Sequence, residues 1–182
     1  IEPEIAQSML YGDFKNYLVA VIVPNKEEAL IWAKENNKDY DLMLSVNLKG
    51  AFLLSKYCAK KMINNNYGRI INICSIWSKI TRVQRSVYTI TKNALHGMTQ
   101  SMAIELGSDN ILVNSVSPGF TLTELTKATN TKEEILLHES KIPMRRMAQP
   151  EEIGNLILFL SSDKNCYLTG QNIVIDGGYT IV

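Results

Sequence analysis

GRIINICS (68–75), followed by SVYTITKNALHGMTQSMAIELG (86–107), decides the fold. The first stretch is apolar and β-branched and leaves a turn at Asn66–Gly68, which predicts a short strand ending near Ser75. The second predicts a helix from about Ser86, with Gly107 placed to cap its C-terminus. Downstream, ILVNSVS (111–117) reads as a strand stopped by Pro118–Gly119, and 120–149 as an extended, mostly polar loop with helical pieces. Pro150 opens a helix with an acidic first turn, and QNIVIDGG (171–178) is the last strand. Upstream, YLVAVIV (17–23), bounded by Asn16 and Pro24, reads as a buried strand, and Asn25 caps a helix over KEEALIWAKENN. A longer helix is expected from about Asp41 to Asn64, its apolar positions nearly encircling it and predicting heavy burial. Short apolar strands alternating with helices imply an α/β protein, a Rossmann-like parallel sheet with helices on both faces.

The charge balance narrows the function. With 19 basic and 18 acidic side chains spread along the chain, there is no electrostatic footprint for nucleic acid or an anionic membrane. No apolar run reaches membrane-spanning length. Cys58, Cys74 and Cys166 are widely spaced, without a CxxC pair, so buried reduced thiols are expected rather than disulfides or zinc ligands. His96 and His138 stand apart, and no metal is expected. IEPEIAQS has neither a basic nor an apolar signal-peptide region, and a cytoplasmic location is expected.

Tyr88 and Lys92, at i and i+4, share one helix face, where an ammonium can favour phenolate and tune a general acid or base. The spacing alone carries little, since Tyr11/Lys15 and Tyr57/Lys61 repeat it. Only Tyr88/Lys92 has Ser75 at a strand end 13 residues before it and Pro118–Gly119 at the next strand end. Parallel sheets place ligands beyond the carboxyl ends of their strands, so these groups should converge on one crevice.

VNLKGAFLLSKYCAKKM, GRIINICSIWS, SVYTITKNALHGMTQSMAIELG, ILVNSVSPGFTLTELT, IPMRRMAQPEEIGNLILFLSSD and LTGQNIVIDGGYT resemble, in order, blocks of the short-chain dehydrogenase/reductase family. The branch they are similar to holds 3-oxoacyl carrier-protein reductases and sugar-modifying relatives. The resemblance runs from Tyr40 to Val182 and implies an oxidoreductase that moves hydride between NAD or NADP and a carbonyl or alcohol substrate. It implies Tyr88 as proton donor, Lys92 lowering the Tyr88 pKa and binding the nicotinamide ribose, and Ser75 holding the carbonyl oxygen. Asn47 would hold a relay water. Pro118, Gly119, Thr121 and Thr123 would contact the nicotinamide, Thr123 at the carboxamide. It also implies a homo-oligomer.

The family's glycine-rich pyrophosphate turn has no counterpart here: between Gly12 and Gly50 there is no glycine. The fold is therefore expected to lack the N-terminal half of the dinucleotide-binding unit. Residues 1–38 resemble instead part of the C-terminal region of a long-chain acyl-CoA synthetase, through YGDFKNYLVAVIVPN, which divides the chain into 1–38 and 39–182. Two functions follow: an active NAD(P)-dependent oxidoreductase, or a truncated or fused non-catalytic remnant without tight dinucleotide binding. YLVAVIV is expected to fill the vacated strand position beside GRIINICS. The 120–149 segment fits an acyl thioester and a sugar nucleotide equally.

Overall fold

The computed structural model describes residues 5–11, 19–24 and 39–182. The helix expected over KEEALIWAKENN lies outside the described residues. Among the described residues, five strands form one sheet in the order β1 (Ile5–Tyr11), β2 (Val19–Pro24), β3 (Gly68–Ile73), β4 (Ile111–Pro118) and β5 (Asn172–Ile175). From β2 to β5 every pairing is parallel. As expected, β2 lies beside β3, with Val19 opposite Arg69. β1, for which no strand was anticipated, adds an antiparallel edge beyond β2.

Alternation along β3 and β4 assigns the helices to faces. Successive strand residues point to opposite sides. Ile70, Ile111 and Val113 pack in one core with Ala51, Cys58, Ala59, Met62, Leu95 and Met102. Ile71 and Val116 pack in a second core with Ile153 and Leu160. The first core is covered by α2 (Ala51–Asn65) and α3 (Ser86–Leu106), the second by α6 (Pro150–Ser161). The sheet thus carries helices on both faces. Two short helices, α4 (Glu124–Thr129) and α5 (Lys132–Ser140), occupy the segment read as a loop with helical pieces.

The long helix departs from its expected form in two ways. It starts as α1 (Asp39–Leu44), passes through a π-helical segment at Ser45–Gly50, and continues as α2. Burial is one-sided: Ala51, Ser55, Cys58, Ala59 and Met62 face inward at three- and four-residue spacing, whereas Phe52, Leu53 and Tyr57 are 45%, 44% and 62% exposed. A single sheet covers only one stripe of a helix, so the apolar residues around the rest stay outside.

Gly107 stands at the C-cap of α3, as expected. It keeps a right-handed φ of −62° and leads a 3-10 turn, and Asn110 (φ 58°) takes the left-handed position. Asn66 (φ 47°) ends α2 in the same way. Asparagine tolerates that region, and both residues stand just before a strand. Of the cysteines, Cys58 and Cys74 are buried, but Cys166 is exposed, contrary to expectation. No described helix is long and apolar enough to cross a membrane.

Candidate active site

Ser75 lies two residues beyond β3, after Cys74. It caps the 3-10 turn Ile76–Ser78 and accepts a hydrogen bond from the Trp77 N–H at 3.4 Å. Tyr88 and Lys92 sit in the first turns of α3, which packs along β4 and the Ser75 turn. Lys92 is 4% exposed; its ammonium donates to the Ile73 carbonyl at 2.9 Å and lies 5.6 Å from the Tyr88 ring centroid. The structure therefore brings Ser75, Tyr88 and Lys92 together at the carboxyl end of β3.

Burial is the main influence on Tyr88 and pushes its phenol above the ordinary range. A hydrogen bond with the Ser75 side chain opposes that shift, the neighbouring Cys74 thiol adds to it, and the Arg85 guanidinium pulls it down. Cys74 is itself raised, chiefly by burial, with the Lys92 charge opposing.

Asn47 lies in the π-helical segment, a form frequent at functional sites. Its side-chain amide donates to Thr91 Oγ1 at 3.2 Å, and that hydroxyl donates to the Tyr88 carbonyl at 2.8 Å. Asn47 is thereby tied to the turn of α3 that bears Tyr88 and Lys92.

Pro118 and Gly119 lead out of β4 at the same edge. Gly119 N–H donates to the Ile175 carbonyl at 2.9 Å, and an added Cβ would lie 2.7 Å from Asp176 Cα. Only glycine fits this close approach. Thr121 and Thr123 follow in a tight structure of their own. Thr121 Oγ1 donates to the Gly119 carbonyl at 3.2 Å, and Thr123 caps α4, accepting from the Thr126 N–H at 3.1 Å.

The family model described as enoyl-(acyl carrier protein) reductase matches residues 18–180. The 3-oxoacyl-(acyl-carrier-protein) reductase FabG of Buchnera aphidicola subsp. Schizaphis graminum is 37% identical over 168 residues, which are 90% of this chain and 68% of that protein. The chain belongs to the short-chain dehydrogenase/reductase family. The FabG protein of Aquifex aeolicus is 41% identical over 140 residues, 77% of this chain and 56% of that relative. Among solved structures, gluconate 5-dehydrogenase from Burkholderia cenocepacia J2315, in complex with NADP and tartrate, superposes with a TM-score of 0.75 at 31% identity. That match covers 80% of this chain and 57% of the other. A 4-hydroxyisoleucine dehydrogenase complexed with NADH gives 0.76 at 35% identity, covering 81% and 61%. The chain spans between about half and two thirds of the length of these reductases and dehydrogenases.

Several groups around the site were not singled out in the sequence. Thr91 stands inside YTITK, yet its link to Asn47 spans 44 residues. Ser78, Ser117 and Asn172 form a polar cluster beneath the Ser75 turn. Phe120 stacks on His138, with centroids 4.6 Å apart, and meets Tyr179 edge-on at 5.1 Å. Arg82 lies over the Trp77 ring at 5.2 Å. Spacing reveals none of these, because each joins segments distant in sequence or depends on a turn's geometry.

Proposed function

We propose that this member of the family is an NAD(P)-dependent oxidoreductase acting on a carbonyl or alcohol substrate. One observation carries the reading: a serine hydroxyl, a half-buried tyrosine and a buried lysine meet at one strand end. In reduction, Ser75 holds the substrate oxygen and Tyr88 donates its proton to it. The raised Tyr88 phenol stays protonated at neutral pH and so is ready to donate. Asn47 orders the proton path behind Tyr88 through Thr91.

The donor set suits the nicotinamide end of a dinucleotide. Lys92 and Tyr88 present an ammonium and a hydroxyl of the kind a ribose diol accepts, and Pro118, Gly119, Thr121 and Thr123 border the same edge. When bound, the nicotinamide supplies or takes up hydride. Relatives solved with NADP and with NADH support a dinucleotide of this class.

The competing reading, a remnant that folds without binding dinucleotide tightly, is favoured by one observation. These 182 residues hold no glycine-rich turn of the kind that cradles a pyrophosphate, and a hydrogen bond to a charged group is worth about 1.5–3 kcal/mol. Titrating NADH and NADPH by fluorescence separates the two. Saturable binding with reduction of a carbonyl compound supports the enzyme, and no binding at millimolar cofactor supports the remnant. We also propose a cytoplasmic, self-associating protein in which 39–182 is the catalytic portion and 1–38 a segment of acyl-CoA synthetase resemblance. Genomic sequence across residues 30–45 tests that junction.

A further inference from the structure

Ser75 sits in a turn whose position is set from below. The Ser78 hydroxyl donates to the Ser75 carbonyl at 2.7 Å, and that carbonyl also accepts from the Ser78 N–H at 2.9 Å. Ser78 Oγ in turn accepts from the Asn172 side-chain amide at 2.8 Å and lies 3.0 Å from Ser117 Oγ. The Ser117 hydroxyl donates to Asn172 Oδ1 at 2.6 Å. Each hydroxyl has one hydrogen to give, and carbonyls only accept. The Ser78 hydrogen is therefore committed to Ser75 and the Ser117 hydrogen to Asn172, which fixes the orientation of the Asn172 amide. Ser117 is fully buried, so its bond cannot be exchanged for one to water. The cluster joins the Ser75 turn to β4 and β5 across 39 and 94 residues of sequence.

We propose that Asn172, acting through Ser78 and braced by Ser117, is a positioning residue that sets where the Ser75 hydroxyl lies against Tyr88. This rests on the assignment of Ser75 and Tyr88 to the reacting centre. Asn172 lies in the last strand, so docking of that strand and alignment of the serine become one event. Two points at the base of the turn support the geometry: the Cys74 N–H donates to the Val116 carbonyl at 2.7 Å, and Lys92 donates to the Ile73 carbonyl at 2.9 Å. The turn is thus pinned at its start by backbone and at its end by Asn172.

The test uses the full chain with 13Cζ-labelled tyrosine, the Tyr88 resonance being assigned by Tyr88→Phe. Ser75→Ala should shift that resonance and raise its titration midpoint, because the Ser75 hydrogen bond favours phenolate. Ser78→Ala and Asn172→Leu should move both in the same direction but less far, and Ser78→Thr should restore the original position. Ser117→Ala, the smallest change, serves if Asn172→Leu does not fold. A Ser75→Ala shift with Ser78→Ala, Ser117→Ala and Asn172→Leu all unmoved overturns the proposal and leaves the catalytic assignment intact. An unmoved Tyr88 in Ser75→Ala overturns both.

Discussion

At the scale of single residues, the site is a contest over the Tyr88 proton. Burial raises the phenol, while Ser75 and Arg85 work against it. Arg85 is exposed at the start of α3 and acts only through its charge. Arg85→Gln should therefore raise the Tyr88 midpoint, and high salt should reproduce part of that rise in the unaltered chain; 13C NMR checks both. Tyr88→Phe should lower the rate of carbonyl reduction by about 10²–10⁴-fold, the range for a general acid, with far-UV circular dichroism unchanged. Burial also raises the thiols of Cys58 and Cys74 above their ordinary 9.0. Between the unfolded and folded values the native state keeps protons that the unfolded chain has released. Stability is thus fully present below pH 9 and declines as pH rises through the folded values. Urea unfolding at pH 8, 9 and 10 should show that fall, and Cys58→Ser should flatten part of it. Ser75, Tyr88 and Lys92 could be read from sequence because a strand end, a helix start and one spacing locate them. The direction of the Tyr88 shift runs opposite to the lowering expected from Lys92, since burial of the ring is the largest influence.

At the scale of elements, one substitution made at two glycines should have opposite signs. Gly97 lies inside α3, and an added Cβ would meet nothing within 4 Å. Gly97→Ala should stabilise by about 0.5–1 kcal/mol through reduced freedom of the unfolded chain and better helix propensity. At Gly119 the same methyl would meet the Asp176 backbone, which cannot swing aside. Gly119→Ala should destabilise by about 1–3 kcal/mol and displace the loop bearing Thr121 and Thr123. Thermal melts of the two variants check the pair. Elements with a composition signature were legible: β3, β4, α3 and α6 fall where apolar pattern, proline and acidic first turn place them. The π-helical segment at Ser45–Gly50, whose Asn47 bonds Thr91, leaves no such signature. The end of α3 at Gly107 was legible, but not that Asn110 would take the left-handed position. Glycine is the commoner left-handed cap, but the chain has three more residues to travel before it can enter β4.

At the scale of the whole molecule, apolar surface is the property that the sheet and its helices leave unresolved. On α2, Phe52, Leu53 and Tyr57 are 45%, 44% and 62% exposed, and on α3 Ile104 is 85% exposed. On the opposite face of the sheet, Leu158 of α6 is 68% exposed. Monomers rarely expose large contiguous apolar patches, and aromatic residues near an interface centre are the ones that dominate binding. Self-association through α2 should therefore make the chain elute as a dimer or larger assembly at micromolar concentration. Phe52→Glu with Tyr57→Glu would bury charge in such an interface. A hot spot is worth about 2 kcal/mol or more, so each change should weaken association roughly 30-fold. The double variant should then run as a monomer by light scattering while keeping its circular dichroism. Leu158→Glu separates the two faces: if it alone dissociates the assembly, the contact runs through α6 and the role assigned to α2 is wrong. A monodisperse monomer for the unaltered chain would remove self-association altogether and leave those side chains to another partner.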